Sequence, residues 1–424
     1  MDRREFLGGS AAVSGLLLLK PKTAFGYEAN SAVRLAILGC GSRGTHVGTS
    51  FAQNTSARIV ALADLFPDQL EKAKTHFDQV NQTLGVPAIS PNRMFRGYKS
   101  FEEVAAAPDI DAIQISTPPW FHVQHLDAVV RAGKHVYCEK PLGVDVAQAK
   151  QALEIGKRAE GKLSLEIGFE VRNAPPIAAV VQRVKAGAIG KIVTITGHYY
   201  APEASNRQGP NWSPDEFRIR NWYWYRNLSG GPLVEQNIHV IDLSNWILGS
   251  HPIKAFATGG RNVITHAGDC WDNYQVIYTY PDDVHVNFSS TQFGNNHWFD
   301  VTERVFGSTG IAEAPYSGQA QIMGENAWKW SDDTDTKPGA PSAGFAANGA
   351  FTDNLKFADR DKEKSFIDSI TSGKFHNQTV DGVNSTLSCM LGRMAGQRGH
   401  EVTWEEMLKH GEKYSLDINM SQFT

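Results

Sequence analysis

The sequence predicts an α/β fold in two parts: a doubly wound parallel sheet, then a second part built of half-buried strands. Three observations predict it. The turn G-C-G-S-R-G, Gly39 to Gly44, separates an apolar run, Val33 to Leu38, from a segment able to continue as a helix. A second apolar run, Arg58 to Ala63, ends on Asp64, twenty positions after Gly44. From Lys191 onward the pattern changes to alternating, half-buried strands.

A strand, a glycine turn and a helix N-terminus are what a pyrophosphate requires. Gly39 permits the tight turn, Gly41 lets the backbone approach the phosphates, and Gly44 lets helix and strand pack closely. Free N–H groups and partial positive charge at the helix start favour the anion. Ser42 and Arg43 lie inside the turn and join the candidate cofactor contacts. Asp64 is placed to accept hydrogen bonds from ribose hydroxyls and to repel a 2′-phosphate, which favours NAD over NADP. Arg43 softens that preference. The plainer alternative for Asp64 is the N-cap of a helix from Pro67 to Phe77.

The first residues stand apart from the fold. Asp2-Arg3-Arg4-Glu5-Phe6-Leu7 precedes a short apolar stretch, Gly8 to Leu19, and small residues at Ala24-Phe25-Gly26. That order reads as a twin-arginine export signal over residues 1–26, so a periplasmic or exported protein is expected. No other segment is apolar enough to span a membrane. A net charge of −4 argues against nucleic acid as a partner. Cys40, Cys138, Cys270 and Cys389 are far apart, match no zinc spacing and read as free thiols.

Between Val33 and Phe169 strand-like and helix-like segments alternate. One strand, Ala112 to Ser116, stops at Thr117-Pro118-Pro119, followed by a helix from His122 to Ala132. The next, Lys134 to Cys138, delivers Glu139-Lys140-Pro141. Thr117, Pro118, His122, Glu139 and Lys140 thus fall at carboxyl ends, where ligands of such sheets bind. A lysine there can hydrogen-bond a substrate hydroxyl and steady its alkoxide as hydride leaves. Taken singly, it would read as a solvated loop lysine.

The second half carries strand-like segments at 191–200, 254–258, 274–280, 284–290 and 304–306, a long loop at 329–354, and closing helices at 361–372 and 380–396. Gly230 to Asp242 reads as a glycine entry into one helix, with Glu235, His239 and Asp242 on one face. A histidine held by carboxylates can take the proton of a hydroxyl while hydride leaves the same carbon. A hydrogen-bonded core histidine is the alternative. Arg218 to Asn227 is aromatic and basic. Tyr223 and Tyr225 there, with Arg172, are candidate sugar contacts, and a core or subunit-contact strand is the competing reading.

Together the glycine loop, Asp64, Thr117-Pro118-Pro119 with His122, and A-G-K-H-V-Y-C-E-K-P resemble the Gfo/Idh/MocA oxidoreductases. The resemblance implies an NAD-binding Rossmann domain at 31–169 and an α+β domain at 170–424 with an open, mainly antiparallel sheet, which binds substrate and pairs subunits through that sheet. It also implies that Lys140 is the catalytic lysine. Family members carry an acidic residue and a histidine four positions on, here Glu235, in place of a common Asp, and His239.

The leading expectation is an NAD-dependent enzyme oxidising a secondary hydroxyl, at C3, of a sugar or glycoside. The alternative is a glycosidase that oxidises C3 transiently and eliminates the leaving group. It needs a further base near C2, for which Tyr199, Tyr223, Tyr225 and His198 are candidates. A non-catalytic sugar sensor fits poorly with Lys140 and His239. Export adds a constraint: with no nicotinamide pool outside the cytoplasm, NAD(H) must be held tightly and restored internally.

Overall fold

The computed structural model describes residues 32–293, 299–331 and 353–424. The export signal and most of the 329–354 loop lie outside the described residues. Six parallel strands form the first sheet: β1 (Arg34–Leu38), β2 (Arg58–Asp64), β3 (Met94–Arg96), β4 (Ala112–Ile115), β5 (His135–Cys138) and β6 (Leu165–Ile167). Helices α1 (Ser42–Asn54), α2 (Pro67–Thr83), α3 (Ser100–Ala106), α4 (Pro119–Arg131) and α5 (Val146–Ala159) make the crossings. The order β3-β2-β1-β4-β5-β6 reverses between β1 and β4, the crevice where such sheets take dinucleotides. Covering both faces buries β1 from Leu35 onward, which is why its sequence is an unbroken apolar run.

The glycine turn is tight. An added Cβ on Gly39, at φ +96°, would stand 2.6 Å from the Ser116 backbone, and one on Gly44 only 1.9 Å from the Gly39 carbonyl oxygen.

After helix α6 (Pro175–Lys185), nine strands form the second sheet. They are β7 (Ile192–Ala201), β8 (Lys254–Gly260), β9 (Asn273–Thr279), β10 (His285–Gln292), β11 (Asp300–Gly307), β12 (Gly310–Pro315), β13 (Gln321–Gly324), β14 (Trp328–Lys329) and β15 (Val402–Thr403). Their order is β14-β13-β12-β11-β7-β10-β9-β8-β15, with β7 and β10 parallel and the other pairs antiparallel. Before β8 come α7 (Pro214–Arg220) and α8 (Ile238–Leu248), and after β14 come α9 (Ala358–Ser372) and α10 (Thr379–Arg398). Helices α8 and α10 cover one face: Val240 packs over Gly197 of β7, and Gly392 over Tyr278 of β9. The other face is open, and the cross-strand neighbours Phe256 and Ile277 are 48 % and 45 % exposed on it.

Helix α9 packs on the first sheet. The Phe366 ring stands edge-on to Phe51 at 6.0 Å and to Tyr137 at 6.2 Å. The packing unit around that sheet therefore takes in a helix from beyond residue 169.

Gly44→Ala is expected to destabilise the fold by about 3 kcal/mol, because the new methyl meets backbone that cannot yield. Thermal and denaturant unfolding of the variant measure this.

Candidate active site

Two adjoining cavities lie at the carboxyl ends of the first sheet and share Ser116 and Thr117. The first is lined by Gly39, Gly41, Asp64, Thr117 and Pro118. A Cβ on Gly41 would meet nothing within 4 Å, so the backbone faces open space where its neighbours Gly39 and Gly44 are pressed on protein. Gly41 caps α1 without a side chain, leaving the first-turn amides for a ligand. Asp64 is buried. Its carboxylate accepts from the Cys40 amide at 2.6 Å and the Phe66 amide at 2.8 Å. Burial pushes its pKa up to about 6, against the pull of those two amides. Phe66, not Asp64, is the N-cap position of α2.

Arg43 is committed elsewhere. Its guanidinium binds Glu139 at 2.9 Å and Asp359 of α9 through two 2.9 Å bonds, with Glu170 at 3.6 Å. It therefore has little left for a 2′-phosphate, contrary to the softening expected from sequence.

The second cavity is lined by Lys140, Glu235, His239, Glu170 and Tyr223, with Ser42 and Arg43 at its floor. Lys140 follows β5 and donates to the Glu235 carboxylate at 3.0 Å and to the Glu235 carbonyl. An ammonium has three donors, so one remains for a substrate hydroxyl. His239 is 6 % exposed and its Nδ1 has no hydrogen-bond partner among the described residues. Burial, then the charges of Lys140, Arg43 and Lys362, hold its pKa well below the ordinary value. The imidazole is therefore neutral and able to accept a proton.

The local backbone explains the placement. Residues 230–242 do not form one helix: Pro232–Glu235 makes a short turn, Gln236 breaks the geometry, and α8 starts at Ile238. Glu235 and His239 still meet at the cavity, but Asp242 does not. It binds Arg172 through two 2.8 Å bonds and accepts from Ser385 at 2.7 Å. The histidine is thus not held by carboxylates, since Glu235 serves Lys140 and Asp242 serves Arg172. Arg172 also reaches Asp381 at 2.8 Å, so Arg172 and Asp242 brace α8 against α10 rather than line the cavity. Tyr225 also lies outside the cavity, with the Arg218 guanidinium 5.4 Å from its ring.

The aromatic run forms no strand. It is α7, a 3₁₀ turn Trp222–Trp224, and a helical turn Arg226–Ser229. Trp222 and Tyr223 border the cavity, while Trp224 is fully buried. Sequence reasoning missed Gln236, which accepts from Tyr223 at 2.7 Å and donates to the Tyr199 hydroxyl at 3.1 Å. A glutamine flanked by Glu235 and His239 was the available signal. His122 is buried, with Nδ1 2.8 Å from the Pro141 carbonyl and Nε2 2.7 Å from that of Thr117. A neutral ring donates to one of these two carbonyls, and His122 also borders the second cavity. Burial lowers its pKa more than those carbonyls raise it.

Glu139 accepts from Tyr137 at 3.0 Å as well as from Arg43. Burial pushes its pKa up, but Arg43, Lys362 and Lys140 outweigh that and hold it below the usual range.

Comparison with known proteins adds to this geometry. The oxidoreductase-family model described as an NAD-binding Rossmann fold matches residues 33–167, and the Gfo/Idh/MocA C-terminal-domain model matches 177–313. The chain belongs to the Gfo/Idh/MocA oxidoreductase family. It is 28 % identical over 287 residues to an inositol 2-dehydrogenase of Rhizobium meliloti, covering 66 % of this chain and 75 % of that one. Aldose-aldose oxidoreductase from Caulobacter crescentus shares the fold, with a TM-score of 0.67, 20 % identity, and coverage of 88 % and 99 %. So does a levoglucosan dehydrogenase solved with NADH and levoglucosan, with a TM-score of 0.67, 18 % identity, and coverage of 88 % and 99 %.

The chain is an oxidoreductase with an NAD-binding domain, and the first cavity fits that cofactor. Gly41 leaves room for a pyrophosphate, α1 offers unpaired amides, and Asp64 carries acceptors for ribose hydroxyls. Those hydroxyls bind the carboxylate form. NAD affinity is therefore expected to hold above pH about 6 and to weaken as pH falls through that value. Asp64→Ala should weaken NAD selectivity over NADP and flatten the pH dependence, both read by binding titrations.

Proposed function

We propose that this oxidoreductase oxidises a secondary hydroxyl of a sugar or glycoside, with C3 the position to test first, and retains its NAD(H). The observation that supports this most is one cavity bringing together an anchored Lys140 ammonium and a neutral His239. Lys140 orients the hydroxyl and steadies the oxygen as negative charge develops. His239 takes the hydroxyl proton at its other ring nitrogen, Nε2, because Nδ1 is enclosed by protein. Glu235 positions Lys140. When bound, NAD accepts the hydride. Tyr223 and Trp222 offer aromatic surface to the C–H face of a ring, which supports a sugar over a small hydroxy acid. The inositol and levoglucosan dehydrogenases named above support the same substrate class.

The glycosidase alternative needs a further base near C2. Of the four side chains considered, Tyr225 lies outside the cavity. His198 stacks on Tyr200 at 4.4 Å beside Asp300, on the sheet's outer face. Burial pushes both Tyr199 and Tyr223 above the ordinary tyrosine value, which disfavours the phenolate. That supports net oxidation.

Two further parts of the proposal are export by the twin-arginine route, supported by Arg3-Arg4 and the apolar stretch after them, and pairing of subunits through the second sheet. The exposed Phe256 and Ile277 support the pairing.

Lys140→Ala and His239→Ala are each expected to lower hydride transfer by about a hundredfold or more while NAD stays bound. Single-turnover nicotinamide fluorescence on a panel of sugars and aryl glycosides reads this. Accumulated reduced cofactor and a keto-sugar support the dehydrogenase. Aglycone release without lasting reduced cofactor, with C2 hydrogen exchange in deuterated water, would overturn it.

A further inference from the structure

The first cavity has two walls, and only one belongs to the parallel sheet. The glycine turn, Asp64 and the loop after β4 form the floor. The facing wall comes from the second half of the chain: Arg207, Arg220, Trp222, Leu416 and Met420. Arg207, Arg220 and Trp222 border the second cavity too, so they stand at the neck between the two. That neck lies over the N-terminus of α1, between an adenosine-sized cavity with Asp64 and the cavity with Lys140.

A pyrophosphate at this neck carries two negative charges, and the floor offers amides and a helix dipole, while Lys99 borders the first cavity beside Tyr98 but not the neck. Arg43 is tied to Glu139 and Asp359. Arg220 is tied to Asp68 and Glu216 and lies 3.9 Å from the Phe66 ring. Arg207 differs. Its backbone is gripped by Asn221, which accepts from its amide at 2.6 Å and donates to its carbonyl at 3.1 Å, and no ion pair holds its guanidinium among the described residues.

Residues 412–424 close the same wall from outside. Asn227 donates to the Ser415 carbonyl at 2.8 Å, Arg218 to that of Asp417 at 2.8 Å, and the Asn419 amide to Asp215 at 3.1 Å. At the far end, Phe423 stands edge-on to Phe66 at 5.7 Å and its carbonyl accepts from the Tyr98 amide at 3.0 Å. The segment therefore runs from α7 of the second half to the loops after β2 and β3, over the adenosine side.

Building on the NAD-binding assignment, we propose that this second wall is a clasp: Arg207 pairs with the pyrophosphate, and the 412–424 strap, through Leu416 and Met420, shuts the adenosine end so that NAD(H) stays bound between turnovers. A dinucleotide seated on the floor leaves only when the strap parts from Phe66 and Tyr98. That supplies a physical basis for cofactor retention, which sequence reasoning could require but not locate.

The test uses full-chain protein loaded with NADH, diluted into excess NAD, with release followed by the loss of nicotinamide fluorescence. Asp215→Ala combined with Phe423→Ala, which unfastens the strap at Asn419 and at Phe423, should speed release by about tenfold or more. Arg207→Ala should do likewise and should also reduce the salt sensitivity of binding. Leu416→Ala with Met420→Ala keeps the strap's hydrogen bonds and should still speed release; it decides the matter should the first pair not fold. Folded variants that release NADH at the wild-type rate overturn the clasp, as does wild-type protein that loses NADH on gel filtration. A protein that oxidises no sugar yet shows these release rates refutes the dehydrogenase reading alone. Normal sugar oxidation with unchanged release refutes the clasp alone.

Discussion

The arrangement depends on a buried cluster of charges around Arg43. Arg43 of α1 and Lys362 of α9 face Glu139, Glu170, Asp359 and Glu363; Arg43 and Glu170 are partly exposed and the others are buried. Two cations against four carboxylates would be intolerable in such a place if all were ionised. Burial pushes Glu170 and Glu363 up toward their neutral forms, while Arg43 and Lys362 overcome burial at Asp359 and hold it well down. Glu363 lies in hydrogen-bond contact with Ser50, again from α9 to α1.

This balance fixes geometry where chemistry needs it. Arg43 sits one turn into the helix whose N-terminus faces the pyrophosphate site, and Glu139 directly precedes Lys140. Their bond locks the phosphate loop to the carboxyl end of β5, so the cofactor floor and Lys140 share one rigid frame. Glu235 completes it from the second half by holding Lys140. Removing Arg43 would strand buried carboxylates, which costs far more than a surface ion pair is worth.

Much of this was legible in the sequence, for identifiable reasons. Strands buried on both faces leave apolar runs, and a turn that excludes any Cβ leaves glycines at fixed spacing, so β1, β2, β4, β5 and the phosphate loop could be read directly. Short strands such as β3 and β12 to β15 carry too few residues for a period. Asp242 lies three positions after His239 on the same helix, α8, yet only His239 borders the cavity. Asp242 points to Arg172 and Ser385, partners distant in sequence that no local pattern announces. The 412–424 strap has no apolar period either, since hydrogen bonds to α7 place it. Arg43 looked like a phosphate ligand because its carboxylate partner on α9 lies more than three hundred positions away.

The electrostatics of Lys140 and His239 bear on how a retained cofactor could cycle. The lysine charge that orients a hydroxyl also disfavours protonation of His239, as do Arg43 and Lys362 behind it. An imidazole in that field is a modest base but a ready acid: once it has taken a proton, it returns it easily. An enzyme exchanging NADH with a cellular pool has little use for easy return, because each turnover runs one way. An enzyme that keeps its dinucleotide must reduce a carbonyl as often as it oxidises a hydroxyl, and the second half-reaction needs the proton back. Burial and neighbouring cations thus favour return of the proton from His239, in keeping with the proposed retention of the cofactor.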